Sequence, residues 1–276
     1  MADAQATPLP SILLIGCGKM GGAMLEGWLA EGLAPSVVID RHRDTLPAPH
    51  RLVRDVADLP ADFRPALIVL AMKPQKVAAA IAAVAPLATH APVLSVLAGR
   101  TVGGLTDALR AHMPPGAHPV VIRSMPNTPA AVGEGMTVSY APPCASAAQR
   151  ALCDRVLSAV GQTAWVTHED DINVVTAISG SGPAYVFLLA ELLEQAGIEG
   201  GLPPALARQI ARQTVSGAGV LMQRSGIDAD ELRRNVTSPG GTTQQALSVL
   251  MAPDAWPATL HAAVRAATER ARELAS

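Results

Sequence analysis

Two hydrophobic rhythms alternate along the first part of the chain. Short unbroken apolar runs at Ser11–Ile15, Val37–Asp40, Ala66–Ala71, Val93–Leu97 and Val120–Ile122 read as buried strands. Between them, apolar residues fall at helical spacing over Lys19–Ala30, Gln75–Val84 and Val102–Ala111, with Met20, Met24 and Leu25 on the buried face of the first. Strands and helices alternating at these lengths predict a parallel, doubly wound sheet. Met136–Tyr140, a helix over Ala147–Val160 and Thr163–Val166 close that region. After Val166 the strand-like runs stop. Asp170 to Ser276 reads as helices broken at Gly180–Pro183, Gly200–Pro204, Ser225–Gly226 and Ser238–Gly241.

The first strand–helix joint carries Ile15-Gly16-Cys17-Gly18-Lys19-Met20-Gly21. A GxGxxG is a weak pattern alone, but between an apolar strand and a helix it predicts a dinucleotide site. Gly16 permits the tight turn, Gly18 lets backbone approach a pyrophosphate, and Gly21 allows close helix packing. Cys17 needs only to be small, and the phosphates meet the helix N-terminus. Lys19 either adds charge to the phosphates or is a solvated first-turn lysine. The expected architecture is therefore a tail over 1–10, a Rossmann-like α/β domain over 11–166, and an all-α domain over 167–276.

Asp40 ends the second strand, where an acid accepts hydrogen bonds from the ribose of NAD. Arg41, His42 and Arg43 follow at once, and a nearby arginine accommodates the extra phosphate of NADP. The signals conflict, and the arginines tip the balance slightly to NADPH over NADH.

Composition narrows the partners. Of 276 residues, 49% are hydrophobic and 16% charged, so apolar helix faces predict a subunit interface. Much of the excess is alanine, and no run of about 18 apolar residues escapes charge or proline, which argues against a membrane span. A net charge of −2 leaves no polyanion footprint, and hence no support for nucleic acid. Cys17, Cys144 and Cys153 have no CxxC spacing and suit a reducing, cytoplasmic compartment. The scattered histidines suggest no metal site. Met1–Pro10 lacks a basic n-region and an apolar core, so it reads as a flexible tail rather than a signal peptide.

The second candidate site is Asn235-Val236-Thr237-Ser238-Pro239-Gly240-Gly241-Thr242-Thr243, ahead of an apolar helical run from Ala246 to Leu250. Pro239 blocks helix continuation, and the glycines let backbone approach a ligand. Free N–H groups, hydroxyls and a positive dipole end would seat a small carboxylate. A solvated capping turn fits the same string.

This loop resembles the signature loop of the Δ1-pyrroline-5-carboxylate reductases. So do the glycine loop, Met72-Lys73-Pro74, Met125-Pro126-Asn127-Thr128-Pro129 and Ser179-Gly180-Ser181-Gly182-Pro183-Ala184-Tyr185, all in the family's order. The resemblance implies reduction of the cyclic imine to L-proline, with the nicotinamide carrying the chemistry. It implies that Met72, Lys73, Ala98 and Asn235 lie beside the cofactor. It also implies that Ser238, Gly240, Gly241 and Thr242 hold the substrate, with the Thr243 hydroxyl at the ring nitrogen. Glu169 aligns with an acid near the substrate, although an exposed glutamate at a helix N-terminus is an equal reading. The family's Asn after the third strand is absent; Asp55 and Asp58 stand there.

Family members interlock two chains through the helical domain, and dimers associate further into rings. Small residues along Ala205–Met222 are compatible with at least a dimer. Three other readings stay open: a reductase of a related cyclic imine, a hydroxy-acid reductase, and a non-catalytic dinucleotide sensor. The absence of any lysine after Lys76 weighs against the hydroxy-acid version, and the intact Ser238–Thr243 loop against the sensor.

Overall fold

The computed structural model describes residues 8–72 and 77–275. These fall into two compact units, one of residues 1–180 with 268–276 and one of residues 181–267. Strands give way to helices at Val166, as the apolar runs predict, but the compact units divide later, after Gly180. The reason is that the first helix after the sheet packs back on it: Ile172 is fully buried with Met125 and Val138.

Unit 1 is built on an eight-stranded sheet of order β3-β2-β1-β4-β5-β6-β7-β8. The strands are β1 (Ile12–Ile15), β2 (Val37–Ile39), β3 (Arg51–Val53), β4 (Leu67–Leu70), β5 (Val93–Ser95), β6 (Val121–Met125), β7 (Gly135–Tyr140) and β8 (Gly161–Val166). β1, β4 and β5 are buried along their whole length, as strands covered on both faces must be. Helices α1 (Lys19–Ala30), α2 (Val77–Val84), α3 (Val102–Arg110) and α4 (Ala147–Ser158) cover it. Trp28 of α1 is fully buried, and its indole N–H donates to the Val156 carbonyl of α4 at 2.8 Å.

Two features depart from the sequence pattern. β3 is a three-residue strand with no fully buried position, so its apolar signal is too faint to stand out. β7 runs antiparallel to β6, because the connection from Met125 to Gly135 holds only the short 3-10 turn Thr128–Val132. A parallel return needs a longer crossover. Leu9, inside the expected tail, is buried and bridges to Leu33; residues 1–7 of that tail lie outside the described residues. So do Lys73, Pro74, Gln75 and Lys76.

After β8 come α5 (Asp171–Val175) and a π-helical turn, Thr176–Gly180. Unit 2 holds α6 (Gly182–Glu199), α7 (Pro204–Ser225), α8 (Ala229–Asn235), α9 (Thr242–Leu250) and most of α10 (Trp256–Ala275). The breaks between α6, α7, α8 and α9 fall at the glycine and proline positions that predicted them. α6 and α7 form a hairpin in which Gly197 meets Ala207; a Cβ on the glycine would lie 3.1 Å from the alanine's. No residue of α6 is buried, and Phe187 is 66% exposed. By length and composition alone, Asp171–Glu199 is apolar enough to cross a bilayer.

The last residues of α10 belong to unit 1. Thr268 and Ala271 are buried, and Arg272 Nη2 pairs with Asp170 Oδ2 at 2.8 Å. Gly99, after β5, takes a φ of +69° and would bring a Cβ within 2.5 Å of the Leu274 carbonyl.

Candidate functional site

The strand order reverses direction between β1 and β4, and such a switch point opens a crevice at the carboxyl ends of the strands. The glycine loop sits there. Gly16 has a φ of +93°, and a Cβ on it would lie 2.8 Å from the Met72 backbone. A Cβ on Gly21 would lie 2.1 Å from the Gly16 carbonyl, so both positions need glycine. Gly18, by contrast, has open space in front of it and caps α1 without any side-chain bond. The first amides of α1 therefore face an open cradle, and the residues fit a dinucleotide pyrophosphate. Cys17 and Met20 are half-buried at the cradle, while Lys19 and Ala98 are exposed.

Asp40 is held differently from the expected ribose acceptor. Its Oδ2 accepts the Cys17 N–H at 2.7 Å, and its Oδ1 accepts those of His42 at 2.7 Å and Arg43 at 2.9 Å. Burial alone would raise its pKa, but the three N–H bonds hold it below the ordinary carboxylate value. Arg43 turns inward to Glu26 at 2.8 Å and to the Cys17 sulfur. Burial pushes the Cys17 thiol up despite that contact. Asp55 and Asp58, which stand where the family's Asn is absent, close a capping box around the 3-10 turn Val56–Asp58.

Glu169 is also placed by bonds that sequence reasoning missed. Its Oε1 accepts the Val102 N–H at the start of α3 at 2.7 Å and pairs with Arg123 at 3.2 Å. Arg123, on β6, is only 2% exposed and is the counter-charge to Glu169. A cation inside an apolar strand run was the available signal. Glu169 is therefore not an exposed helix-start residue.

Asn127 is likewise a tie. It accepts the Met136 N–H at 2.9 Å and donates to the Ser179 carbonyl at 3.2 Å. That fixes the Met125–Pro129 loop to the π turn and gives Ser179–Gly180 a structural role. Such turns gather at functional sites.

In unit 2, Gly240 has a φ of +72° and opens the turn into α9. Of the four backbone amides of Gly240–Thr243, two are already used. Gly240 N–H donates to Gln244 Oε1 at 2.6 Å, and Gly241 N–H to the Ser238 carbonyl at 3.1 Å. Gln244, which reaches back from the first turn, had not been singled out in the sequence. α9 has no side-chain cap, so the Thr242 and Thr243 amides remain as donors, beside the half-buried Thr243 side chain. Asn235 ends α8 and is exposed. A cleft of about 390 Å³ opens between α8 and α9, lined by Arg233, Thr237, Gln244, Leu247 and Met251 among others. It flanks the loop without including Ser238–Thr243. Among the described residues, no cluster of three or more His, Cys, Asp or Glu could hold a metal.

Two family models match the chain. Pyrroline-5-carboxylate reductase dimerisation covers residues 169–274, and NADP oxidoreductase coenzyme F420-dependent covers 11–99. A pyrroline-5-carboxylate reductase of Pseudomonas aeruginosa is 34% identical, over 96% of this chain and 97% of its own. The chain belongs to the pyrroline-5-carboxylate reductase family. A Synechocystis family member is 36% identical over 95% of this chain and 97% of its own. Among solved structures, the Coxiella burnetii reductase superposes with a TM-score of 0.87 at 31% identity, covering 97% of this chain and 99% of that one. The Plasmodium falciparum reductase, determined with NADP bound, gives 0.81 at 26% identity, covering 98% and 100%.

Proposed function

We propose that this chain reduces Δ1-pyrroline-5-carboxylate to L-proline, the last step of proline synthesis, with NADPH preferred to NADH. The observation that carries this reading is the start of α9, where two uncapped amides adjoin the Thr243 hydroxyl in a family member. A carboxylate seated on the Thr242 and Thr243 amides would be stabilised by the helix dipole. The Thr243 hydroxyl would then bond the ring nitrogen and help its proton balance as imine becomes amine. Ser238 and Asn235 complete the set of expected contacts. When bound, the nicotinamide supplies the hydride; the protein's part is to fix the ring within near-attack distance.

NADPH preference is supported by Arg41, exposed beside the dinucleotide crevice. Self-association through residues 167–276 is supported by the unburied apolar faces of α6 and α7. At least a dimer is expected, with a ring of dimers as the larger assembly, in the cytoplasm, where three free cysteines persist. The test follows oxidation of NADPH and NADH with pyrroline-5-carboxylate and with its six-membered analogue. Turnover of the five-membered ring is expected. Faster turnover of the larger ring would indicate a related imine reductase, and cofactor binding without turnover would indicate a sensor.

A further inference from the structure

Asp40 occupies the strand end from which an acid commonly accepts the ribose hydroxyl of NAD. Its carboxylate is already committed. An ionised carboxylate offers about four acceptor positions, and three N–H groups fill three of them. Those donors come from two separate segments, the glycine loop at Cys17 and the turn at His42 and Arg43. One side chain therefore staples the phosphate cradle to the turn after β2. Arg54 reinforces the turn from the end of β3, with Nη1 donating to the carbonyls of Asp40 at 2.9 Å and Arg43 at 2.6 Å.

The arginines behind Asp40 are not equivalent. Arg43 is spent: it bonds Glu26, the Cys17 sulfur and the Thr45 carbonyl. Arg41 is 70% exposed, and its ion pair is a 3.6 Å approach to Asp55, itself 59% exposed. A pair that open holds a guanidinium weakly.

We propose that Asp40 is a positioning residue of the cofactor site rather than its ribose acceptor, and that Arg41, among the described residues, is the cation left at the end of β2 to select a 2′-phosphorylated dinucleotide. The inference rests on reading unit 1 as a dinucleotide site and does not depend on the substrate. It removes the conflict between an acid and arginines at the end of β2. The Asp40 charge is shared among three N–H donors before any phosphate arrives, and its geometry turns it toward the backbone.

Calorimetric Kd values for NADP+ and NAD+, measured on the full chain without substrate, test it. Asp40→Asn keeps one acceptor oxygen and turns an NH2 group toward a backbone N–H. Both Kd values should rise together by about tenfold or more, the scale of a lost charged hydrogen bond, with their ratio held within about twofold. Arg41→Ala should raise the NADP+ Kd alone, again by about tenfold or more. Loss of NAD+ affinity alone in Asp40→Asn would overturn the positioning role, and equal losses in Arg41→Ala would overturn the selection role.

Amide exchange on the wild-type chain supplies a check that no variant can spoil. The Cys17, His42 and Arg43 amides should be protected before cofactor is added. Free exchange until cofactor binds would refute the staple. A chain that binds both dinucleotides but fails to turn over pyrroline-5-carboxylate would overturn the reductase reading while leaving this one standing. A chain that binds neither would overturn both.

Discussion

Removing Glu169 separates two roles for one side chain. Arg123 is buried in β6, and Glu169 supplies its counter-charge while also accepting an amide of α3. Glu169→Ala leaves the guanidinium without that charge and the Val102 N–H without its acceptor. Breaking a buried pair costs about 3–5 kcal/mol. Glu169 is 25% exposed, and water screening lowers the expected loss to about 2–4 kcal/mol. For a chain of this size each kcal/mol moves Tm by about 2–4 °C, so a fall of roughly 5–15 °C should appear in calorimetry or circular dichroism. Glu169→Gln keeps an acceptor for Val102 and loses only the charge, and should fall between. A substrate contact would behave in the opposite way. An unchanged Tm with a raised KM for pyrroline-5-carboxylate would refute the clamp and restore Glu169 to the substrate site.

Thr243→Ala should lower kcat by about tenfold to a hundredfold with KM little changed, and Thr243→Ser should recover most of the rate; a raised KM alone would make the residue a uniform binding contact. Gly21→Ala drives a Cβ to 2.1 Å from the Gly16 carbonyl, so the loop must shift; dinucleotide Kd should rise at least about tenfold while far-UV dichroism is retained. The Cys153 thiol, buried and pushed up to about 12, should resist a thiol reagent at neutral pH until the chain unfolds, whereas exposed Cys144 should react at once. Low pH should loosen the end of α10. The bonds from Arg272 and Asn173 lower the Asp170 pKa, so their support is present above the ordinary carboxylate value and lost as pH falls through the lowered one. Proteolysis of the C-terminus should quicken in acid and show no such change in Asp170→Asn.

The fold was legible wherever burial wrote a long pattern. β1, β4 and β5 are buried on both faces and appear in the sequence as unbroken apolar runs. β3 escaped because its residues are partly exposed, and the direction of β7 escaped because periodicity carries no strand sense. The glycine loop was readable because Gly16 and Gly21 are dictated by backbone contacts that no other residue permits. What stayed hidden were side-chain partnerships across long sequence gaps. Glu169 finds Arg123 46 residues away, and Asp40 finds Cys17 23 residues away. Neither pairing leaves a local spacing to detect. Gln244 was closer to hand, since a glutamine in a first helical turn that reaches back is a known capping habit.

The nucleotide-binding unit is discontinuous: its polypeptide leaves at Gly180 and returns at Thr268. Stopping the chain at Gly180 would therefore not yield that unit whole. It would strip Asp170 of Arg272, uncover the surfaces that Thr268 and Ala271 bury, and leave Gly99 shaped for a Leu274 carbonyl that is gone. Residues 268–275 act as a sequence-distant seam, and a split protein would need that peptide supplied in trans to close it.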